Sequence, residues 1–576
     1  MIEIKRRTPS VTPAFSDAIP PLLQRLYANR GLQADSELNR SVAGLHQYQA
    51  LTGIDTAVSL LAEALKAHQS ILIVGDFDAD GATSSALSVK ALRMMGATRV
   101  DYLVPNRFDD GYGLSPEVVD QAAERGAELI MTVDNGVSSL TGVARAKALG
   151  MQVVVTDHHL PGETLPNADA MVNPNLDDCG FPSKALAGVG VAFYLMLALR
   201  AHLRDQGWFE QQGLTVPNLA DLLDLVALGT VADVVALDSN NRILVHQGLQ
   251  RIRAGRCRPG IQALIEVANR NMATLVASDF GFALGPRINA AGRLDDMAFG
   301  VELLLCDNIH AARRMASELD ALNQTRKDIE QGMKQEAVAW CERLIAEQSE
   351  RELPVGLALF QRDWHQGVIG ILASRLKDQF HRPVIAFADG GDGLIKGSAR
   401  SIPGLHMRDT LERIDTLNPG LIKKFGGHAM AAGLTIDEAQ FDTFAKQFDS
   451  QVREQISEDD LKGVLLSDGP LQSHELGLET AEIIQAGGPW GQGFPEPQFD
   501  GIFKVLQQKL VGGKHLKLMV EPEGGGTMID AIAFNVDLRR WPDPSTKTLR
   551  LVYRLDINEF RGNRSAQLII SHLEAA

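Results

Sequence analysis

Between residues 70 and 160, short apolar, β-branched runs alternate with segments that read as helices. The runs are Ile71–Gly75, Val100–Val104, Glu128–Val133 and Gln152–Thr156. The intervening helices carry start and stop signals: Ser115 as N-cap before Pro116 at the first helical position, and Gly126 and Gly150 as terminators. Successive βαβ units of this kind predict an open parallel sheet. From Asn308 to about Glu350 the chain is rich in Ala, Glu, Arg, Lys and Leu and holds no Gly or Pro before Gly332, which predicts long helices connecting two domains. A second α/β pattern follows Pro354, with strands at Val355–Phe360 and Val384–Phe387, and ends near Ser457. From about Pro495 the texture changes to short alternating strands, at His515–Val520, Ile529–Phe534, Leu549–Leu555 and Gln567–Ile570. These predict a small C-terminal β-barrel of the OB type, so the expected fold class is a multidomain α/β chain with a β-barrel appended.

A chain of 576 residues, 45% hydrophobic and 22% charged, is long enough for several cores and is not disordered in composition. The start, Met1 to Arg7, is charged, and the longest nearly uninterrupted apolar run, Val189–Leu199, is too short to span a bilayer. A cytoplasmic protein without a membrane partner is expected. The four cysteines, Cys179, Cys257, Cys306 and Cys341, form no CxxC pair and no zinc-like spacing. The net charge of -16 argues against a general affinity for nucleic acid. Bound divalent cations offset part of a carboxylate-rich site, however, and a small basic groove can sit on an acidic body. Any selectivity for nucleic acid therefore has to come from a shaped site.

The first strand runs into Gly75-Asp76-Phe77-Asp78-Ala79-Asp80-Gly81. Three alternating carboxylates in an apolar setting repel one another unless cations lie between them. The spacing begins like a calcium EF-hand, but Leu87 stands where the bidentate glutamate belongs and a strand precedes the loop, so that reading is rejected. The third strand runs into Asp134-Asn135-Gly136 and the fourth into Asp157-His158-His159. Polar groups thus recur at the carboxyl ends of strands, where open α/β sheets bind ligands. A single Asp in such a place is as readily a helix cap; three strands ending this way together indicate a site. The segment Leu222–Val235 is apolar and helix-like apart from Asp224 and Asp233, and Gly229–Asp233 can return another carboxylate. Oxygen ligands with imidazole and no thiolate favour Mn²⁺ or Mg²⁺ over zinc. The acids exceed what one ion needs, and paired divalent ions roughly 3.5 to 4 Å apart are a recurring device for hydrolysing phosphate esters. The expected chemistry is phosphoester hydrolysis with two ions.

The DxDxDG run, Asp134 and Asp157-His158-His159 resemble the motifs of the DHH phosphoesterase superfamily. Phe282 to Leu294, containing Gly285-Pro286-Arg287-Ile288-Asn289-Ala290-Ala291-Gly292-Arg293, resembles a segment of its RecJ branch. Gly426-Gly427-His428-Ala429-Met430-Ala431-Ala432-Gly433 is similar to the DHH-associated domain signature, and Pro489 to Pro497 to the lead-in of the RecJ OB-fold. The resemblance implies residues 1–49 as an N-terminal segment, 50–305 as a DHH catalytic domain, 306–352 as connecting helices, 353–457 as a DHH-associated domain, and 458–576 as linker and OB-fold. It further implies Asp78 and Asp80 as ligands of two metals, Asp134 as their bridge, His158 and Asp233 as completing one shell, and His159 on the scissile phosphate. Many superfamily members carry a histidine where this chain has Val74, so one metal site is expected either to be weaker or to lean on Asp76.

Arg287, Asn289 and Arg293 are expected to line the groove beside the site, because guanidinium groups bind phosphate oxygens bidentately; the bland alternative is that an arginine here pairs with Asp295 or Asp296. Lys396, Ser398 and Arg400 resemble a phosphate-holding strip, joined by the glycine-rich Gly426-Gly427-His428; without the resemblance they read as a solvated loop and a tight turn. In the barrel, Lys514, His515 and Lys517 alternate with apolar positions, and Phe534 and Phe560 are candidate stacking platforms, although isolated phenylalanines are more often core. The resemblance implies digestion of single-stranded DNA from the 5′ end to mononucleotides, in recombination and mismatch repair, with a single-strand-binding protein and a repair helicase as partners. A small-substrate phosphoesterase is the runner-up, opposed by the segment around Arg287 and by the barrel. A scaffold without catalysis is opposed by the intact acids and histidines. Since every candidate ligand precedes Gly433, a chain cut near Ser457 is expected to retain the chemistry and lose grip on the strand.

Overall fold

The apolar runs of the first α/β segment assemble as one parallel sheet. In this computed structural model, which describes residues 2–9, 12–106, 112–347 and 353–576, the strands are β1 (Ile71–Val74), β2 (Val100–Leu103), β3 (Leu129–Val133), β4 (Gln152–Thr156) and β5 (Ala170–Val172), in the order β2-β1-β3-β4-β5. Every residue of β1 and β3 is buried, which is why these runs are continuously apolar. The chain leaves β1 to one side for β2 and returns to the other side for β3, so the strand order reverses between β1 and β3. A crevice opens at the carboxyl ends of the strands at such a point. Val74 pairs with Thr132 and Val133 with Thr156. Continued past the strand ends, that register brings Asp76, Asp134 and Asp157 to one level.

Three helices close on this edge: α1 (Ala79–Met94), α2 (Gly188–Asp205) and α3 (Leu223–Ala232). Almost all of α1 is buried, so it lacks a polar face; its Thr83, Ser84, Ser85 and Ser88 are small enough to admit neighbours on several sides. α4 (Gly285–Leu294) follows a π-helical turn at Phe280–Leu284. The expected connecting helices are one uninterrupted helix, α5 (Ile309–Glu347), of 39 residues. Gly332 lies within it without breaking it, since a helix-interior glycine costs only about 1 kcal/mol.

Two compact units are distinguished: Arg6–Asp320 together with Leu466–Ala576, and Ala321–Leu465 together with the first five residues. The second contains β6 (Leu357–Phe360), α6 (Ile369–Phe380), β7 (Val384–Gly391), β8 (Leu394–Arg400), β9 (Lys424–Gly427) and β10 (Ala431–Asp437), with the sheet order β9-β10-β8-β7-β6. Its core gathers Phe387, Ile395, Leu434, Phe444 and Phe448.

In the first unit the C-terminal strands β11 (Phe499–Val511), β12 (His515–Pro522), β13 (Ile529–Ala533), β14 (Thr548–Phe560) and β15 (Asn563–Ala575) close into a barrel, ordered β11-β12-β13-β15-β14. β11 escaped the sequence reading, because only its start is buried and its outer half lacks a clean alternation. The segment leading into the barrel folds back on the amino-terminal segment. The Tyr27 hydroxyl donates to the Gly487 carbonyl at 2.9 Å, and Arg30 donates to both oxygens of Asp468 at 3.1 and 3.0 Å. Arg30 also lies over Trp490, and Arg242 over Phe494. Among the described residues no helix is long and apolar enough to cross a membrane.

Candidate metal centre

Asp78 caps α1: its Oδ1 accepts the N–H groups of Asp80 and Gly81 at 2.9 and 3.0 Å. That cap turns Asp80 inward, where both its oxygens meet the amino end of α2. Oδ2 accepts from Gly188 N at 2.6 Å and Oδ1 from Val189 N at 2.9 Å. The helix terminus thus offers Asp80 partial positive charge. Asp134, at the end of β3, holds a left-handed backbone (φ 61°) that costs energy for a non-glycine residue. Asp233 ends α3. His158 Nε2 points among them, 3.1 Å from Asp134 Oδ1, 3.5 Å from Asp233 Oδ2 and 3.9 Å from Asp80 Oδ2.

The ligand atoms fall into overlapping trios, each within 4.8 Å: Asp76, Asp78 and Asp134; Asp80, His158 and Asp233; and Asp134, His158 and His159. Burial together with Asp233 and Asp78 pushes the Asp80 carboxyl well above the ordinary range. Burial and the four aspartates around it do the same to Asp134. Asp233 is pushed up to about 7 by burial and by Asp78. Burial and the nearby His159 lower His158 to about 4, leaving it neutral, the form that ligates metal. Asp134 Oδ1, His158 Nε2 and Asp233 Oδ2 are buried and lack hydrogen-bond partners. Buried polar atoms without partners are costly, and three converging on one spot suit a hard divalent cation. Carboxylates and imidazole without thiolate are the donor set of Mn²⁺ or Mg²⁺.

Asp157 plays a different part. Its Oδ1 accepts His158 N, His159 N and His159 Nδ1 at 2.8, 3.1 and 2.7 Å, and its Oδ2 accepts Val137 N at 2.9 Å. These bonds overcome its burial and keep it below the usual carboxylate range. Burial opposes protonation of His159, but the bond to Asp157 and the negative charges of Asp157, Asp76 and Asp233 prevail, raising it to about 9. In the metal-free protein His159 therefore favours its protonated form at neutral pH, and the Tyr112 ring flanks it in edge contact.

Several contributors went unread in the sequence. Asn173 and Asn175, just past β5, donate to the carbonyls of His159 and His158 at 2.9 and 2.6 Å. Their signal was the same as for the acids, polar residues at a strand end. Three glycines admit the helices. A Cβ on Gly188 would lie 2.5 Å from Asp134 Cβ, one on Gly229 2.2 Å from Thr83 Oγ1, and one on Gly292 2.0 Å from the Phe77 carbonyl oxygen. No local signal marks them. Asp224, weighed beside Asp233, is instead paired with buried Arg258 at 2.6 Å and lies outside the ligand trios.

Of the residues expected along the groove, Asn289 accepts the N–H of Ala79 at 2.7 Å and so braces the loop that carries Asp76, Asp78 and Asp80. Arg293 stands one turn further along the same face of α4. Arg287 pairs with Asp320 at 2.8 Å rather than with Asp295 or Asp296, and also donates to the Ala283 carbonyl at 2.6 Å. In the other unit Lys396, Ser398 and Arg400 share the outward face of β8, where Ser398 aligns with Gly433 and Gly433 with Gly426. Burial lowers the Arg400 guanidinium, which donates to Ser398 Oγ and the Ala399 carbonyl and has no carboxylate partner among the described residues. Gly427 joins β9, and the N–H of His428 donates to the Ala431 carbonyl. In the barrel His515 and Lys517 face outward while Leu516 and Leu518 face the core, and Lys514 lies on the preceding turn. Lys517 pairs with Asp530 at 3.3 Å, and His515 meets exposed Phe534 edge-on. The Phe560 side chain lies outside the described residues.

Comparison with known proteins agrees with this architecture. Residues 70–230 match the DHH family N-terminal domain, 354–454 the DHHA1 domain and 467–572 the RecJ OB domain. The chain is 63% identical over 572 residues to the single-stranded-DNA-specific exonuclease RecJ of Escherichia coli, covering 99% of each chain. It belongs to the RecJ family. The RecJ of Dickeya dadantii is 65% identical over 568 residues, covering 99% of this chain and 98% of the other. A crystal structure of Thermus thermophilus RecJ with Mn²⁺ superposes with a TM-score of 0.79 at 28% identity, covering all of this chain and 80% of that one. A second structure of the same protein, with Mg²⁺, gives 0.73 at 26% identity, covering all of this chain and 79% of that one. As a RecJ, the chain is a hydrolase, a single-stranded-DNA-specific exonuclease with a metal-dependent DHH phosphoesterase core.

Proposed function

We propose that this enzyme removes mononucleotides from the 5′ end of single-stranded DNA at a centre holding two divalent ions. The observation that carries the reading is the convergence of unpartnered Asp134 Oδ1, His158 Nε2 and Asp233 Oδ2 in a buried acidic crevice. Asp80, His158 and Asp233 would hold one ion, and Asp76 and Asp78 the other, with Asp134 reaching both. Asp76 thereby takes the place of the histidine that Val74 replaces. When bound, such ions supply hydroxide at neutral pH and offset charge on the attacking and leaving oxygens.

The chain's own groups do the rest. Asp157 fixes the ring of His159 through Nδ1, leaving Nε2 to donate to a phosphate oxygen as charge develops there. Asn173 and Asn175 hold the carbonyls of the two histidines and so fix the loop. Arg293 is assigned to the strand's phosphates, and Arg287 joins it if the Asp320 pair opens. Lys396, Ser398, Arg400, Gly426, Gly427 and His428 are assigned to phosphate binding in the DHHA1 unit. The support is Arg400, which has no acidic partner among the described residues, beside a row of glycines. Lys514, His515 and Lys517 are assigned to the strand in the barrel. Chemistry is thus assigned to residues 50–305, and grip to 353–457 and 458–576.

The 5′ direction, the work in recombination and mismatch repair, and the single-strand-binding protein and helicase as partners are what family membership implies. A cytoplasmic setting accords with four cysteines that are all free. The test is digestion of strands labelled at either end, with Mn²⁺ or Mg²⁺, by wild type and Asp134→Ala. Early release of 5′-terminal mononucleotides by the wild type alone is expected; release from the 3′ end refutes the direction, and an active variant refutes the centre.

A further inference from the structure

Phe282 is 83% exposed, more than any other large apolar side chain among the described residues. Its neighbours Phe280, Ala283 and Leu284 on the same π-helical turn are buried. Such turns are rare and are frequent at functional positions. The turn is packed on the end of α3: a Cβ on Gly285 would lie 3.0 Å from Ala232 Cβ, and one on Gly281 3.6 Å from Val231 Cγ1. Asp233 is the next residue along. Beyond it Val234 is 62% exposed, second to Phe282, and takes φ 64°, a conformation that β-branched residues avoid. The two most exposed apolar side chains, each on a distorted backbone, therefore belong to segments that meet at the end of α3, next to Asp233. Core packing explains neither, because both side chains point into solvent.

We propose that Phe282 is a base-stacking platform at the mouth of the hydrolytic centre, bearing one base of the single strand while the adjoining phosphate is held for cleavage. The inference rests on reading the acid and histidine cluster as that centre. Every base offers a π-face, so stacking on an aromatic ring tolerates any sequence. In a duplex both faces of each base are already covered by neighbours, so the platform also favours an unpaired strand.

The test uses full-length enzyme loaded with Mn²⁺ and oligonucleotides carrying one abasic position, moved stepwise along the strand. Phe282→Ala is expected to raise KM roughly 5- to 150-fold, the range that loss of one stacked base produces, with kcat nearly unchanged and Phe282→Trp close to wild type. One abasic position should weaken the wild type by a similar factor and leave Phe282→Ala unaffected. An unaltered KM in Phe282→Ala overturns the platform, as expected if the ring instead receives a protein partner. A loss in Phe282→Ala that is equally sensitive to every abasic position also overturns it, pointing to a structural role. Hydrolysis persisting through either result leaves the metal centre standing, since substitution of its own acids and histidine, such as Asp134→Ala, tests that.

Discussion

His158 Nε2 lies 3.1 Å from Asp134 Oδ1, yet neither atom has a hydrogen-bond partner. Groups buried so close without bonding are arranged for something between them, and Asp80 and Asp233 border the same gap. Asp80→Ala, Asp134→Ala and His158→Ala should each lower kcat on the order of a thousandfold or more, and the double variants little further, as for residues that act as one unit. Single-turnover rates at saturating Mn²⁺ provide the check. Multiplicative losses, or near-normal turnover in any of the three, would count against a shared centre.

Removing the metal should make stability depend on pH in a particular direction. Asp233 is raised to about 7 in the folded chain, and Asp80 and Asp134 lie well above their ordinary values. Between the unfolded carboxylate value near 4 and the folded values, the native state holds more protons than the unfolded one. Stability of the metal-free protein therefore falls as pH rises through that window. Thermal unfolding in EDTA should show a lower Tm at pH 7.5 than at pH 5.5. Mn²⁺ at about 100 times its Kd should restore roughly 2.7 kcal/mol. A metal-free Tm that rises over this interval would contradict the assignment.

The Asp157–His159 pair has the opposite bearing on pH. Because His159 is raised to about 9, the pair's stabilisation is complete below the ordinary histidine value near 6.5 and is lost as pH rises through about 9. If protonated His159 assists the phosphate, kcat/KM has an alkaline limb above the ordinary histidine value, held there by the bond to Asp157. Asp157→Asn should move that limb toward 6.5 and lower the plateau. An unmoved limb in Asp157→Asn would remove His159 from the donor role.

Gly188→Ala tests the close approach of α2. The added methyl meets Asp134 Cβ at 2.5 Å and its Oδ1 at 2.8 Å. Overpacking of this kind costs about 1 to 3 kcal/mol, and Asp134 has nowhere to retreat without leaving the gap beside His158. The Mn²⁺ concentration for half-maximal activity should rise at least tenfold while far-UV circular dichroism stays native. Unchanged metal dependence would show that the bridge tolerates displacement.

The acids most legible in the sequence were those that sit beside their own strand. Asp76, Asp134 and Asp157 are legible because each directly continues an apolar run, and the register of β1, β3 and β4 brings them level. Gly188, Gly229 and Gly292 are not legible, since their small size matters only once α2, α3 and α4 arrive from far along the chain. The same holds for Arg287, whose partner Asp320 is 33 residues away. Phe282 read as one more apolar residue of a motif, because periodicity cannot distinguish a π-turn from the helix it interrupts.

The packing argues against the expectation that a chain cut near Ser457 keeps its chemistry. Asp468 lies beyond the cut, fully buried, and is the ion-pair partner of Arg30, whose side chain is 1% exposed. The cut also removes Gly487, which accepts from Tyr27, and Trp490 and Phe494, which cover Arg30 and Arg242. The N–H of Leu237, four residues after Asp233, donates to the Gln492 carbonyl at 2.7 Å, so the loop following this proposed metal ligand is tied down by the same segment. Breaking a buried ion pair alone costs about 3 to 5 kcal/mol, and exposing Tyr27 and its apolar neighbours adds to that. A chain ending at Ser457 should therefore be aggregation-prone or unfold well below the full-length Tm, whereas one ending after Gln498 should keep the metal centre and lose strand affinity with the barrel. Asp468→Ala isolates the cause in the intact chain: a Tm drop of several degrees, with kcat preserved at low temperature, is expected. A Ser457-terminated protein as stable and active per site as the full chain would show that this packing is dispensable.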